Sequence, residues 1–225
     1  MKKSLLTLGR LFIGLFLYAL GIVCTINAKL GLSPWDVFHQ GASNLSGITM
    51  GQASILTGLL IVILDWVLGE KVGLGTICNM LFIGLFMDLL MFNHLVPTFD
   101  NIIMRVIIMF LGMFIIGIAS YFYIGAGLGS GPRDGLMLAL TKKTNKSVRF
   151  IRNCIEFVVL VAGYFLGGTV GLGTVIMVFG GGYFVQFAFK IFKFDVKKVK
   201  HVFIDDYAKL IKERVSKDKK DSSIS

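Results

Sequence analysis

The chain has 225 residues, of which 55% are apolar and 16% charged, with 27 glycines, three prolines and a mean hydropathy of +0.79. That is too apolar for a water-soluble globule and leaves no room for a separate soluble catalytic domain, so the composition marks a membrane protein. The net charge of +10 is read as orientation in a bilayer rather than as affinity for nucleic acid, because basic residues gather on the cytoplasmic side of membranes.

A spanning helix needs about 20 mostly apolar residues. Hydropathy predicts spans over residues 8–28, 54–68, 74–92, 102–124, 151–166 and 172–192. Met1-Lys2-Lys3 before an apolar run has the outline of a signal peptide, but no small-x-small site closes the run, so it is read as the first helix. Pro34–Ser46 and residues 132–145 are helical in pattern yet too short and too polar to cross. The expected fold is therefore all-α: six transmembrane helices plus two short interfacial or re-entrant helices. Beyond the last span, Phe203, Tyr207, Leu210 and Ile211 recur at helical spacing in a basic tail, which predicts an amphipathic helix on the leaflet or a solvated topogenic tail. Residues 221–225 are expected to be disordered.

With the N-terminus inside, all of the 23 Lys and Arg except Lys29 and Arg105 fall on the cytoplasmic side. Six crossings also return the C-terminus to the cytoplasm. The expected location is a bacterial plasma (inner) membrane, multi-pass, with both termini cytoplasmic.

The two halves align without a gap at an offset of 98 residues, the separation of Pro34 from Pro132. At that offset Gly31, Pro34 and Asp36 meet Gly129, Pro132 and Asp134, and Val72-Gly73-Leu74-Gly75-Thr76 meets Val170-Gly171-Leu172-Gly173-Thr174. Three crossings per copy force the second copy to enter from the opposite face, so the expectation is an inverted 3+3 internal repeat: residues 1–98, then 99–192, then a cytoplasmic tail at 193–225. Such repeats build many secondary transporters, with substrate near the midplane.

In Ser33-Pro34-Trp35-Asp36, the serine suits an N-cap, the proline the first helical position, and the aspartate can reach back to a free backbone N–H. Gly131-Pro132-Arg133-Asp134 repeats the pattern without the hydroxyl. Two readings stay open. Asp36 and Asp134 cap helices, or the two helix starts face a polar cavity and bind an anionic or zwitterionic group, with Arg133 reinforcing it. Trp35, at the matching place, adds only an amphipathic ring.

Gly73-Leu74-Gly75-Thr76 and Gly171-Leu172-Gly173-Thr174 open the third and sixth spans, either as tight hairpins with small-residue packing or as places of close backbone approach to a solute. They lack the lysine and spacing of a phosphate loop. Among polar residues at membrane depth, Asn79, Asp65, Asp88, Gln186 and Glu156 are candidates for function. Glu156 also sits one turn from Arg152 and can simply pair with it. Glu156 and Asp88 are the candidates for coupling to protons. Candidate substrate-binding residues are thus Ser33, Pro34, Asp36, Gly73, Gly75, Thr76, Gly131, Pro132, Arg133, Asp134, Glu156, Gly171, Gly173 and Thr174.

Asp36, His39 and Gln40 share one helix face, but the second copy offers Asp134, Met137 and Leu138, so no metal is expected. Cys24, Cys78 and Cys154 have neither disulfide nor metal spacing. No nucleophile or zinc-hydrolase pattern is present, so neither enzyme activity nor a cofactor is expected.

With Gly-Leu-Ser-Pro-Trp-Asp-Val and Gly-Ser-Gly-Pro-Arg-Asp-Gly, each followed after about forty residues by Val-Gly-Leu-Gly-Thr, the sequence resembles the YczE/YitT-like bacterial integral membrane proteins, over residues 8–188. The resemblance implies a multi-spanning inner or plasma-membrane protein and carries no residue role. The expected function is transporter-like, binding or moving a small polar or anionic solute at the repeat interface. The alternative is a non-transporting scaffold or regulator acting through the basic loop and tail. The expected partners are the lipid bilayer, a small-molecule solute and a second copy of the chain, and no nucleic acid.

Overall fold

In the computed structural model, which describes residues 2–199 and 201–206, the chain is helical, with no strand among the described residues. The helices are α1 (Lys2–Asn27), α2 (Pro34–Ser46), α3 (Met50–Val67), α4 (Leu74–Phe92), α5 (Ile102–Gly125), α6 (Pro132–Thr144), α7 (Val148–Phe165) and α8 (Leu172–Ile191), followed by a 3₁₀ turn at Val196–Lys198. The predicted helix at 74–92 is met residue for residue, α1 begins six residues before its predicted start, and the other long helices agree within four positions. The tail helix expected around Tyr207 to Ile211 and the stretch 221–225 lie outside the described residues.

Local chemistry sets the helix ends. Thr49 and Gln52 form a reciprocal capping box at the start of α3: the Gln52 N–H donates to Thr49 Oγ1 at 3.0 Å, and the Thr49 N–H donates to Gln52 Oε1 at 3.1 Å. Asn101 and Ser147 cap α5 and α7 through their side-chain oxygens. Gly47 and Asn145 end α2 and α6 in the left-handed conformation.

Helix bounds and left-handed residues recur at the 98-residue spacing of the sequence alignment. Helices α2 and α6, and α3 and α7, begin and end 98 residues apart, and α4 and α8 begin so. Left-handed residues pair at the same offset: Lys29 with Gly127, Gly31 with Gly129, Gly47 with Asn145, Gly69 with Gly167.

The centre of the molecule is the α1–α5 contact, the most extensive in the fold. It closes where Gly21 and Gly112 face each other, each lying against the other's carbonyl oxygen, so that neither position has space for a Cβ. Helices in lipid gain little from expelling apolar surface and associate by close packing, which small residues permit. Around this pair, Leu11, Leu15, Val23, Met109 and Met113 are buried. Helix α4 packs on α1 as α8 packs on α5. The short helices cross over: α2 packs on α7 of the other half, and α6 on α3. Arg10 and Arg105 tie the ends of the central pair, Arg10 donating to the Tyr121 carbonyl at 3.2 Å and Arg105 to the Ala28 and Lys29 carbonyls.

Among the described residues, five helices are long and apolar enough to cross a membrane: α1 (from Leu5), α3, α4, α5 and α8. Helix α7 has the same length as α3 but carries Arg149, Arg152 and Glu156.

One feature breaks the likeness of the halves. In the first, α3 and α4 are zipped together: Gly51 lies against the Gly84 carbonyl, Gly58 against Met80, and Asp88 of α4 accepts from Thr49 Oγ1 at 2.5 Å and the Gly51 N–H at 2.9 Å. In the second, Arg149 and Glu156 stand at the positions of Gly51 and Gly58, and Gln186 at that of Asp88. Bulk and charge replace the small residues, and α7 and α8 make no comparable contact.

The segment after α8 folds back on the loops. The Val202 and Ile204 N–H groups donate to the Gly127 and Val72 carbonyls at 2.8 and 3.1 Å, and Phe203 lies under the Lys71 ammonium.

Candidate functional site

A cavity of about 430 Å³ lies between the halves, lined by the starts of α2 and α6 and by α1, α3, α4, α5, α7 and α8. It exists because α2 and α6 are too short to fill the space between the long helices. Where α7 and α8 part, Arg152, Asn153 and Glu156 line one side of it and Phe179, Tyr183 and Gln186 the other.

The two short helices meet there through their second residues. The Arg133 guanidinium lies 4.5 Å from the centre of the Trp35 indole, a cation–π contact between register partners. Ser33 caps α2 as predicted, accepting weakly from the Asp36 N–H at 3.4 Å. The aspartate does not reach back to the backbone, however. Its Oδ2 accepts from the Ser33 hydroxyl at 2.5 Å, because the hydroxyl is nearer than any free N–H. Asp36 Oδ1 faces His39 Nδ1 at 3.6 Å, beyond hydrogen-bond reach. His39 is 1% exposed, and neither of its ring nitrogens finds a partner. In the second half, Gly131 offers no hydroxyl, so the Asp134 carboxylate stays uncapped and exposed to the cavity.

Of the candidate residues, Ser33, Pro34, Asp36, Gly131, Pro132, Arg133, Asp134 and Glu156 are brought together on this cavity. Glu156 accepts from Arg152 Nε at 3.0 Å, the pairing expected from their spacing. The remaining six, Gly73, Gly75, Thr76, Gly171, Gly173 and Thr174, do not line it. They lock each half to the other instead: the Gly75 N–H donates to the Leu128 carbonyl and the Gly173 N–H to the Leu30 carbonyl, both at 2.7 Å. Thr76 Oγ1 accepts from the Gly73 N–H and donates to the Ser130 carbonyl, and Thr174 Oγ1 accepts from the Gly171 N–H. Gly31 and Gly129, at φ +111° and +117°, are held against Gly171 and Gly73, with no space for a side chain.

Asp88 lies in the α3 cap, away from the cavity, whereas Asn79 and Gln186 line it. Asp65 is buried against Gly135 of α6. Sequence reasoning missed Tyr18 and Ser120, which bond to each other at 2.6 Å on the cavity wall, and Tyr123 beside them. Their signal was hydroxyl groups inside the otherwise apolar first and fourth spans. It also took Trp35 for an inert ring and His39 only for a rejected metal ligand.

Three curated bacterial proteins are similar over most of their length. An uncharacterized membrane protein of Bacillus subtilis, YczE, is 38% identical over 79% of this chain and 82% of its own. An uncharacterized protein of Haemophilus influenzae is 31% identical over 82% of this chain and 84% of its own. A second Bacillus subtilis protein, YyaS, is 30% identical over 76% of this chain and 86% of its own. No solved structure matches. The family model DUF6198, a family of unknown function, matches residues 5–190, from the first turns of α1 to the last turn of α8 with the cavity residues between, and the chain belongs to that family of membrane proteins.

Proposed function

We propose that the chain is a six-span transporter-like protein of a bacterial plasma membrane that binds and moves a small polar or anionic solute through the cavity between two inverted three-span repeats. The observation that carries this reading is the cavity itself, set between the halves and lined by charged groups from the start of both short helices. Unpaired charge at membrane depth is costly and marks a solute path by default. In this reading α7 is the sixth span, its charged face turned to the cavity rather than to lipid. Both termini and the basic α6–α7 loop then lie in the cytoplasm, where their positive charge belongs.

Single-cysteine labelling tests the inverted arrangement. With Cys24, Cys78 and Cys154 replaced, a thiol reagent applied outside should reach Asn44→Cys and not Asn145→Cys, and the reverse should hold from inside. Labelling of both from one face rejects it. Screening the purified protein for thermal stabilisation by metabolites tests solute binding, since a ligand of the native state raises apparent stability by mass action.

The docking of residues 201–204 on the Gly127 and Val72 carbonyls favours a second reading, a regulator acting through its basic loop and tail. That reading predicts no stabilisation by any solute, and loss of phenotype on removal of the tail alone.

A further inference from the structure

Four groups in the cavity lack the partners that their chemistry demands. Arg133 makes no ion pair and no hydrogen bond through its guanidinium among the described residues, and rests only on the face of Trp35. Asp134 likewise has no side-chain partner among them. Asp36 Oδ1 and His39 Nδ1 face each other at 3.6 Å, too far for a hydrogen bond, and they and His39 Nε2 are buried without a hydrogen-bond partner, in residues that are 3% and 1% exposed and that line the cavity. A buried acceptor or donor left unmade is costly, so the fold holds Asp36 Oδ1 and the His39 nitrogens at the expense of its own stability, while Arg133 and Asp134 stand open to the cavity.

Their signs define the missing partner. Arg152 and Glu156 neutralise each other, which leaves one cation, Arg133, and two carboxylates, Asp36 and Asp134. A simple anion would satisfy Arg133 while meeting two like charges, and a simple cation would do the opposite. Like charges brought together without water repel strongly. Only a solute carrying both charges complements the set.

We infer that the cavity binds a small zwitterion, its anionic group on the Arg133 guanidinium and its ammonium group on the Asp36 and Asp134 carboxylates. The inference rests on the solute-binding reading above and names the solute class. A guanidinium presents a planar fork of donors suited to a carboxylate or phosphate, and the Trp35 ring fixes the plane of that fork. The ammonium supplies the donors that Asp36 Oδ1 and Asp134 lack. The volume of about 430 Å³ lies within the range of small-molecule sites and holds a solute of amino-acid size with some water.

The test uses the full chain in lipid nanodiscs. The chain has two tryptophans, and Trp66→Phe, at an exposed position, leaves Trp35 as the only tryptophan, which excitation at about 295 nm reads apart from the tyrosines. The probes are the common amino acids, 4-aminobutyrate and phosphoethanolamine, each beside its carboxylate-only, phosphate-only or amine-only analogue. At about 10 mM, at least one zwitterion should raise the melting temperature and change Trp35 fluorescence while its single-charge analogues do neither. Arg133→Gln and Asp134→Asn should each weaken that binding at least about tenfold, with Arg133→Lys intermediate. Ligand-free melting of each variant separates misfolding from lost binding. The inference is overturned if no zwitterion acts, if an analogue with one charge acts equally well, or if Asp134→Asn binds like the parent. Uptake into proteoliposomes separates the two proposals. Zwitterion binding without uptake sinks transport and leaves the site standing, whereas uptake of a singly charged solute sinks the zwitterion and leaves transport standing.

Discussion

Trp35 and Arg133 occupy equivalent positions in the two halves and touch each other, guanidinium over indole at 4.5 Å. This contact marks where the starts of the two short helices face one another. It also makes the site unequal, with a cation on one side and an aromatic face on the other. A partly desolvated pair of this kind is worth about 0.5–2 kcal/mol. A double-mutant cycle with Trp35→Ala and Arg133→Gln, read by thermal or denaturant unfolding, should return a coupling in that range. A coupling near zero would show that the two side chains are merely neighbours.

Gly31 and Gly129 test the reciprocal lock between the halves. Alanine at either must adopt a left-handed conformation, at about 1–3 kcal/mol, and push into the facing turn, at about 1–3 kcal/mol more. Both substitutions should lower the melting temperature strongly and to similar extents. Gly69→Ala bears the same conformational strain in open space and should cost only the first of these. Equal losses at all three positions would remove the close approach from the account.

Asp88 caps the start of α3 in this fold, accepting from Thr49 Oγ1 and the Gly51 N–H. Asp88→Ala removes two hydrogen bonds to a charged acceptor, each worth about 1.5–3 kcal/mol, and should destabilise α3. Asp88→Asn, which keeps one acceptor oxygen, should lose less. Glu156→Gln loosens an i,i+4 pair worth about 0.3–0.5 kcal/mol and should leave the melting temperature almost unchanged. The opposite ranking in unfolding experiments would overturn the assignment of Asp88 to the cap.

Arg149 and Glu156 stand on α7 where α3 has the glycines that let α4 approach. Replacing Arg149 and Glu156 together by glycine restores the small face that zips α3 to α4, and should draw the helices together. Spin labels at Phe157→Cys and Phe179→Cys would report a shorter distance in the double variant than in the parent. An unchanged distance would mean that something other than side-chain bulk holds the gap.

Docking of the segment after α8 is predicted to weaken in acid. Burial pushes the His201 imidazole below its usual pKa of about 6.5. The docked form therefore favours neutral histidine: docking is fully supported above that value and is lost as pH falls beneath it, because the released segment takes up the proton more readily. Hydrogen exchange at the Val202 and Ile204 amides should speed up between about pH 7 and pH 5 beyond the intrinsic trend. His201→Gln should abolish the extra change. Exchange in that variant with the parent's pH dependence would assign the effect elsewhere.

Much of this architecture is written locally in the chain. Apolar runs of membrane length, Ser33 and Thr49 before helices, Gly47 and Asn145 after them, and the 98-residue offset all act within a few residues of themselves or repeat in plain order. They determined the eight helices, their ends and the likeness of the halves. The eight cavity residues drawn from the starts of α2 and α6 and from α7 were legible for the same reason: a helix start with a charge at membrane depth is a local feature. The fate of Gly-Leu-Gly-Thr was not. Whether Gly75 approaches a solute or the Leu128 carbonyl depends on which segment of the other half lies opposite, a relation between residues more than fifty positions apart. Tertiary structure alone decided that these turns lock the halves together, that Asp88 is spent on a cap, and that His39 and Asp36 are buried without partners. It also decided that Trp35 meets Arg133. Each depends on long-range packing, and a polar group's role is fixed by what packing leaves unsatisfied around it rather than by its neighbours in the chain.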